Sequence, residues 1–367
     1  MIKENPPKSP FEKGGLCISS IEQPILDGME SGVFPGAVVC LYQEGKPLAL
    51  EAYGHRMITP QQLPMMEKTL FDMASLTKPV ATATSVMVLK EQGIVDLNED
   101  VAAYMPAFAR PGISVFHLLT HTSGLPAWRA LYLNPGDRTK VVKHLSEMPL
   151  DYETGSRVVY SCLGYILLGE MVREVAGVDL DKFAVEQIFK PLDMNDTFYN
   201  PPEERRVECA ATEDSSSFER RMTNYRNYSW REGVVVGEVH DENAHSMGGV
   251  AGNAGLFSTA PDLAKFCRMI INNGENVLSP ESVKMMATLH TRGLDGSRSI
   301  GWTVLANGTL CHTGFTGTAI WIDLKHRSAA ILLTNRVHPD ATKEGIGQVR
   351  EEFYAKFREH QSEGIIP

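Results

Sequence analysis

Ser75 and Lys78 stand three residues apart at the start of a long apolar segment, 80–89. Pro79 follows the lysine, and proline is tolerated only in the first turn of a helix, so we expect a helix to start at about Ser75. Residues three apart share one helix face, which lets the hydroxyl and the amine touch. Burial lowers the pKa of a lysine, and a helix N-terminus favours a developing alkoxide. The pair therefore predicts a serine nucleophile activated by a lysine.

Tyr160 begins a second candidate segment, Tyr160-Ser161-Cys162, where a helix is predicted over 161–175. A tyrosine at this point could exchange a proton with Lys78, because a nearby ammonium favours its phenolate. A packed aromatic ring at the start of a helix is the alternative interpretation.

His312, Thr313 and Gly314 form a third segment, which precedes a predicted strand. The next residue, Phe315, has a backbone N–H that could point together with that of Ser75 at one oxygen. Two such donors make an oxyanion hole. A turn that happens to contain a histidine is the alternative interpretation.

The three segments occur in this order with long separations, and together they resemble the three-motif signature of class C β-lactamases, the related family VIII esterases and the D-alanyl-D-alanine peptidases. HLLTHTSGL at 117–125 and GGVAGNAGLFST at 248–259 are also similar to stretches of that family. The resemblance covers about 21–337. It implies a β-lactamase/penicillin-binding-protein-like α/β (α+β sandwich) fold, with an antiparallel sheet flanked by helices and an inserted, mainly helical domain.

The resemblance also implies chemical roles. Ser75 would be the nucleophile, with Lys78 and Tyr160 as base and proton relay, and water would hydrolyse the acyl-enzyme. The backbone amides of Ser75 and Phe315 would hold the oxyanion. No metal and no organic cofactor is implied. The positions that would contact substrate or its oxyanion are Phe315, His312, Gly314 and Cys162.

Cys162 and His312 depart from the family pattern. Asparagine usually stands at the first position and holds the acylamino group of the substrate, whereas cysteine is a poor hydrogen-bond donor. Lysine usually stands at the second and pairs with a substrate carboxylate, whereas histidine is largely neutral near pH 7. Both changes favour small carboxylic esters, with weak β-lactam hydrolysis as a secondary activity. β-Lactamase or D-alanyl-D-alanine carboxypeptidase activity on cell-wall-like substrates is the alternative.

The segment 244–248 approximates the G-x-S-x-G nucleophile elbow of α/β-hydrolases, with Ser246 as the nucleophile. An elbow needs an apolar strand before it and a helix after it. Residues 240–243 are polar, and residues 248–255 are too rich in glycine for a helix. The context therefore opposes this alternative.

His117 and His121 are four residues apart and could form a metal site with His240 or His245. No glutamate lies between the first two as in H-E-x-x-H, so packing roles are favoured and no metal is predicted. Asp241 and His245 could line a cleft beside the glycine-rich run, and an exposed polar loop is the alternative.

A catalytically degenerate, penicillin-binding-like protein is the alternative from another functional class. It would bind a peptide, a muropeptide or a protein without turnover. Cys162 and His312 favour it, while the retained Ser75, Lys78 and Tyr160 oppose it. Labelling of Ser75 by a fluorophosphonate would separate the two, because only a live hydrolase has an activated serine.

Hydrophobic periodicity predicts the elements that position these residues. Helices are predicted at 21–31, 80–89, 161–175, 180–188, 261–271 and about 340–359, and strands at 37–42, 47–53, 300–305, 319–323 and 329–334. Strands at both ends of the chain predict one sheet with a helical lobe inserted. We expect a disordered segment at 1–20, an α/β domain at 21–95 plus 290–362, and a mainly helical domain at 96–289. The catalytic cleft should lie between the domains, walled by 125–137 and by the long polar stretch 205–245.

The composition restricts the class of partner. The chain has 367 residues, 43% hydrophobic and 22% charged, values that are ordinary for a soluble protein. Its formal charge of -10 argues against nucleic acid, because an acidic surface repels phosphate. No segment has the roughly 18 consecutive apolar residues of a membrane span. We expect a small ester, β-lactam or D-amino-acid peptide as substrate, and the oligomeric state is not predicted.

The N-terminal residues and the cysteines bear on location. Residues 1–15 contain no apolar signal-peptide core, so a cytoplasmic location is expected, or a periplasmic one if the true N-terminus differs. The cysteines are scattered without a C-x-x-C pair, which predicts small buried apolar residues in a reducing compartment without excluding a disulfide. They are Cys17, Cys40, Cys162, Cys209, Cys267 and Cys311.

Overall fold

The computed structural model describes residues 19–133, 138–225 and 227–362. Its α-helices are α1 (Ser19–Glu30), α2 (Thr84–Glu91), α3 (Val101–Tyr104), α4 (Val115–Leu119), α5 (Arg138–Glu147), α6 (Cys162–Ala176), α7 (Leu180–Ala184), α8 (Ser217–Thr223), α9 (Glu242–Ser246), α10 (Ala260–Ile271), α11 (Pro280–Ala287) and α12 (Ile346–Ser362). Its strands are β1 (Gly36–Gln43), β2 (Lys46–Met57), β3 (Leu63–Pro64), β4 (Phe71–Asp72), β5 (Phe198–Tyr199), β6 (Leu256–Ser258), β7 (Thr303–Val304), β8 (Leu310–Thr313), β9 (Ala319–Asp323) and β10 (Ser328–Thr334). Shorter turns are 3-10 helical at Ala74–Leu76, Leu131–Leu133 and Glu203–Glu208, and π-helical at Lys78–Ala83 and Val185–Phe189.

The main sheet of the described residues is antiparallel and has seven strands in the order β3-β2-β1-β10-β9-β8-β7. Strands β1 to β3 come from the N-terminal part of the chain and β7 to β10 from the C-terminal part. The prediction that both ends share one sheet is therefore confirmed. A smaller sheet has the order β4-β6-β5, and it joins the segment just before Ser75 to the glycine-rich run.

Helices cover both faces of the main sheet. Side chains of successive strand residues point to opposite faces, and in β1 Val39 packs with Ile25 and Phe353 of α1 and α12. Its neighbour Cys40 contributes to the larger core on the other face, which includes the apolar side chains of α2, α6 and α10. Burial on both faces explains why 37–42 is an uninterrupted apolar run.

The segment around Ser75 is not one continuous helix. Ser75 lies in the 3-10 turn Ala74–Leu76, the π-helical turn Lys78–Ala83 follows, and α2 begins only at Thr84. Helical turns do begin close to the predicted start at Ser75, but they are not regular α-helix until Thr84. Pro79 is the physical reason, because its ring removes an N–H and blocks a regular α-helical turn around it. The apolar residues that follow are buried, as predicted.

Other predicted boundaries are wrong. The closing helix α12 begins at Ile346 instead of about 340, and the strand predicted at 300–305 is reduced to Thr303–Val304. The segment 312–314 precedes the strand β9 as predicted, but His312 and Thr313 also end a strand that was not predicted, β8, which pairs with β9. Four residues of mixed polarity carry too weak an alternation to predict this strand. Its ladder of hydrogen bonds with β9 is what stabilises it.

The long polar stretch 205–245 contains α8, most of α9 and part of a 3-10 turn, elements that the sequence did not predict. Residue 226 of this stretch and 134–137 of the other predicted cleft wall lie outside the described residues. So do residues 1–18 of the segment predicted to be disordered, whereas 19–20 begin α1. The domain boundaries at 95/96 and 289/290 stay predictions. Among the described helices, none has the length and apolar character needed to cross a membrane.

Candidate active site

Ser75 and Lys78 touch although two different turns carry them. Lys78 Nζ donates a hydrogen bond to Ser75 Oγ at 3.1 Å. The lysine is fully buried, and the serine is partly exposed. Lys78 Nζ also donates to the backbone carbonyl of Asn253 at 2.9 Å and to Cys162 Sγ at 3.5 Å. The ammonium is therefore held in one position against the serine hydroxyl.

The backbone before Ser75 is strained. Ala74 has a φ of 45°, a left-handed conformation that costs a non-glycine residue about 1–2 kcal/mol. The buried carboxylate of Asp72 stabilises it by accepting a hydrogen bond from the Ala74 N–H at 2.8 Å. Its second oxygen accepts from the His240 N–H at 2.6 Å. Strain of this kind is typical of functional sites, and here Asp72 holds the turn that presents Ser75.

Gly314 allows the end of β8 to approach this turn. A Cβ at this position would lie 2.1 Å from Thr318 Oγ1 and 2.6 Å from the Met73 carbonyl oxygen, so no side chain fits. Neither the Ser75 N–H nor the Phe315 N–H donates to an acceptor among the described residues. Both donors therefore stay available for an oxygen atom of a bound molecule.

Tyr160 lies beside the lysine at the start of α6, and Lys78 Nζ is 5.0 Å from its ring centroid. Ser161 caps α6, accepting from the Gly164 N–H at 3.2 Å. His121 Nδ1 accepts from the Ser161 N–H at 3.1 Å, and its ring contacts that of Tyr160 in a tilted arrangement at 4.6 Å between centroids. These contacts fix Tyr160 and the adjacent Cys162 on the wall that faces Ser75.

The pKa values in this cluster differ from the sequence expectation. Burial lowers the pKa of Lys78, but Cys162, Tyr160 and Asp241 raise it by more, so the net direction is upward and the predicted lowering is wrong. Burial raises the pKa of Tyr160, and Lys78 only partly opposes this. Burial also raises the pKa of Cys162. Near neutral pH the cluster therefore holds an ammonium, a phenol and a thiol, and its proton-accepting form grows as the pH rises.

His312 is buried and neutral. Burial lowers its pKa well below the ordinary value, and the positive charges of Lys78 and Arg298 lower it further. Its Nδ1 lies 3.0 Å from the Thr313 carbonyl oxygen and must therefore be the protonated nitrogen. Its Nε2 is a buried acceptor without a partner among the described residues. The expectation that this histidine would lack a positive charge agrees with its surroundings.

Three arginines that sequence reasoning missed line the same cavity: Arg298, Arg336 and Arg350. Their described hydrogen bonds go to uncharged groups, the Thr303 hydroxyl for the first and backbone carbonyls for the others. No described carboxylate forms an ion pair with any of them. Burial lowers the pKa of Arg350 to about 10, and the nearby Arg336 adds to the effect. Both guanidinium groups would gain from a bound anion.

These residues surround a cavity of about 650 Å³, large enough for a small substrate. Both predicted cleft walls contribute, through Trp128 from the first and Phe218, Glu219 and Met222 from the second. Asp241 lines the cavity as the sequence suggested. His245 does not belong to the lining, and it faces Glu238 at 3.8 Å. The lining also contains Ser75, Tyr160, Cys162, His312, Gly314 and Phe315.

The two alternative sites are not assembled. Ser246 ends the short helix α9, its Oγ donates to the Asn243 carbonyl at 2.8 Å, and no described strand leads into it, so it is not a nucleophile elbow. The side chains of His117 and Ser114 form the capping box at the N-terminus of α4. Within the described ranges, no three His, Cys, Asp or Glu side chains come together in a metal-binding arrangement. Cys40, Cys209, Cys267 and Cys311 are free and buried, and Cys162 is free and partly exposed.

Comparison with known proteins identifies the family. The family model described as Beta-lactamase matches residues 21–352. The chain belongs to the beta-lactamase family. A class C beta-lactamase of known structure superposes on this family member with a TM-score of 0.73 at 17% identity, covering 93% of this chain and 95% of that one. The predicted family resemblance and fold class are confirmed.

Two relatives of this beta-lactamase family member are similar over most of their length. A Bacillus subtilis (strain 168) protein named "N-acetylmuramyl-L-alanine amidase" is 33% identical over 361 residues, which span 88% of this chain and 81% of the relative. An Escherichia coli (strain K12) protein named "Putative D-alanyl-D-alanine carboxypeptidase" is 31% identical over 328 residues, which span 79% and 74%. The family is one of serine hydrolases, and both names describe cleavage of amide bonds.

Proposed function

We propose that this protein is a serine acyl hydrolase that forms its acyl-enzyme on Ser75. The observation that carries the proposal is the 3.1 Å hydrogen bond between Ser75 Oγ and the fully buried Lys78 Nζ, at the wall of a 650 Å³ cavity. A surface serine would have neither a buried partner nor a cavity beside it. The residues required for acylation are all retained, which argues against a catalytically degenerate binding protein.

The reaction has two steps. Ser75 Oγ attacks the acyl carbon, the deprotonated Lys78–Tyr160 pair takes its proton, and the oxyanion is held by the backbone amides of Ser75 and Phe315. The bond to the leaving group then breaks, and the leaving amine or alkoxide receives the proton from the same pair. Water then attacks the acyl carbon and gives a proton to the pair. The bond between the acyl carbon and Ser75 Oγ breaks, the pair returns the proton to Oγ, and the acid is released.

The preferred substrates are peptides with a free carboxylate. Arg298, Arg336 and Arg350 line the cavity without an ion-paired carboxylate in the described residues, and they supply the positive charge that His312 lacks. Arginine is suited to carboxylates because its planar fork donates two parallel hydrogen bonds. The names of the two relatives support an amide bond as the target. The prediction of simple esters from the sequence rests on Cys162 and His312 alone and does not take the positive charge of the three arginines into account.

Hydrolysis of matched peptides tests the proposal. The substrates are diacetyl-L-lysyl-D-alanyl-D-alanine and the same peptide with a C-terminal carboxamide, assayed with wild type, Ser75→Ala and Arg298→Gln. We expect Ser75→Ala to lose at least about 100-fold in kcat/KM on both, and Arg298→Gln to reduce the preference for the free carboxylate about 10-fold. Ser246→Ala is the matched serine control and should behave as wild type. Full activity of Ser75→Ala would refute the assignment of the nucleophile.

Small esters are the second candidate, favoured by Cys162 and by the apolar wall of Trp128, Met222 and Phe315. A p-nitrophenyl butyrate assay beside the peptide assay measures the ester preference, and a chromogenic cephalosporin measures β-lactam hydrolysis. Cys162→Asn restores an amide donor, and we expect it to raise the peptide-to-ester ratio of kcat/KM about 10-fold. An unchanged ratio would mean that Cys162 does not set this preference.

A further inference from the structure

The cavity also contains two carboxyl groups to which the proposed mechanism gives no role. Glu219 on α8 and Asp241 at the N-terminus of α9 both line it. We name these two residues the acidic pair. A carboxyl group in such a cavity can bind a cation.

Neither member of the acidic pair forms an ion pair with a described residue, although cations lie close by. The neighbouring Glu213 forms an ion pair with the His240 ring at 2.9 Å, and Glu242 forms one with Arg231 at 2.8 Å. Within each of these two ion pairs, the opposite charges of the partners neutralise each other. Asp241 and the carboxyl group of Glu219 are therefore left without an ion-pair partner among the described residues, in the same cavity as three arginines without carboxylate partners.

The hydrogen bonds of Asp241 leave its charge uncompensated. One oxygen accepts from the Ala244 N–H at 2.7 Å, and the other accepts from the Asn253 amide at 3.3 Å. Both donors are neutral groups. The charge of Asp241 acts on Lys78 and Cys162, raising the pKa of both, so Asp241 lies near the nucleophile.

Glu219 is the less satisfied member. Its side chain is only 8% exposed, and its Oε2 has no hydrogen-bond partner among the described residues. Burial raises its pKa to about 8, and the charge of Asp241 adds to the effect. A buried carboxyl group without a donor is costly, and a bound donor would remove that cost.

We propose that the acidic pair binds a free ammonium group of the substrate. An ammonium has three donors, so it can satisfy Glu219 Oε2 and Asp241 together, and its positive charge favours the ionised form of Glu219. With the arginines on the same cavity wall, the site is complementary to a zwitterion: a peptide with a free carboxylate and an unblocked amino group, at its N-terminus or on a diamino-acid side chain. This substrate class rests on the proposed function of the same cavity.

Binding to the Ser75→Ala variant tests the proposal without turnover. The probes are L-lysyl-D-alanine and its diacetyl derivative, which differ only in their amino groups, titrated calorimetrically near pH 7. We expect the free dipeptide to bind at least 10-fold more tightly. Glu219→Gln and Asp241→Asn, each added to Ser75→Ala, keep the size and hydrogen bonding of the side chains and should abolish most of this preference. Glu238→Gln is the control, because Glu238 lies on the same stretch but pairs with Arg206 outside the cavity lining.

Each outcome decides the proposal. Loss of the amine preference in both acidic-pair variants, with the preference intact in the Glu238→Gln control, supports it. Equal binding of the two probes, tighter binding of the diacetyl derivative, no binding of either, or a preference that persists in the variants overturns it. The proposed function fails separately, by activity of Ser75→Ala on the acetylated tripeptide, which contains no ammonium.

Discussion

At the level of single residues, the site combines a conventional pair with unusual neighbours. Lys78 reaches Ser75 Oγ at 3.1 Å, but Cys162 and His312 occupy positions where the family resemblance predicts an asparagine and a lysine. Burial keeps the imidazole of His312 neutral. Arginines from distant parts of the chain supply positive charge in place of the expected lysine. Among the described residues that line the cavity, the amide of the expected asparagine has no such replacement.

Lys78→Met should abolish most of the activity without unfolding the protein. It removes the group that takes the serine proton, and positioned proton transfer contributes about 10²–10⁴-fold. We therefore expect kcat/KM on the acetylated tripeptide to fall at least 100-fold. The thermal midpoint should change little, since methionine fills the same buried space and replacing a buried ionic group by an apolar one is often neutral. Lys90→Met, at the partly exposed end of α2, is the control and should keep wild-type activity. Retention of more than a tenth of the activity by Lys78→Met would contradict the role of this lysine.

The activity should rise with pH. The reactive form of the Lys78–Tyr160 pair has lost a proton, and the pKa values of both groups are raised, so this form is scarce near neutral pH and grows as the pH increases. A kcat/KM profile from about pH 6 into the alkaline range measures this, with the acetylated tripeptide as substrate. A profile already flat at pH 6 would mean that another group accepts the proton.

At the level of elements, the site depends on how closely β8 meets the turn before Ser75. The strain at Ala74, the two hydrogen bonds of the Asp72 carboxylate and the missing side chain of Gly314 all act at this junction. The sequence predicted the functional residues on both sides of it. It did not predict β8, because four residues of mixed polarity acquire strand geometry only by pairing with β9.

Gly314→Ala should damage both activity and stability. Its Cβ would collide with the Met73 carbonyl oxygen and Thr318 Oγ1, which would push β8 away from Ser75. Overpacking of this kind costs about 1–3 kcal/mol, measurable by denaturant unfolding. Gly347→Ala is the matched control: a Cβ there meets nothing within 4 Å, so stability should stay equal or rise. Equal effects of the two substitutions would show that the close approach is not required.

At the level of the whole molecule, buried ion pairs connect the helices to the cavity wall. Glu170 on α6 is only 2% exposed and pairs with Arg138 at 2.8 Å and Arg173 at 3.0 Å. Arg138 also donates to the carbonyls of Met247 and Val250, just before Asn253 in the glycine-rich run. The pair thus joins α5 and α6 to the segment that holds Lys78.

Glu170→Ala should lower the free energy of unfolding by about 3 kcal/mol, because it leaves Arg138 partly buried without its carboxylate. Denaturant unfolding monitored by circular dichroism measures this loss. Glu147→Ala is the control, since its pair with Lys143 is exposed and spans 3.9 Å, and it should change stability by less than about 1 kcal/mol. A loss no larger than that of the control would refute the structural role of Glu170.

The sequence by itself determined the family, the sharing of one sheet by both ends of the chain and the set of residues around Ser75, because motif order and apolar periodicity are local properties. Only the tertiary structure decided the charge of the cavity. Arg298, Arg336, Arg350, Glu219 and Asp241 lie up to 131 residues apart in sequence (350 minus 219). Only Asp241 was suggested by the sequence, from its place beside the glycine-rich run, and nothing in the spacing of the others distinguishes them from solvated surface charges. The turn after β8 contacts α8 through Phe218, the segment before α9 through His240 and α12 through Arg350. This packing brings the charged side chains to one cavity without ion-pair partners among the described residues, and the proposed roles depend on that.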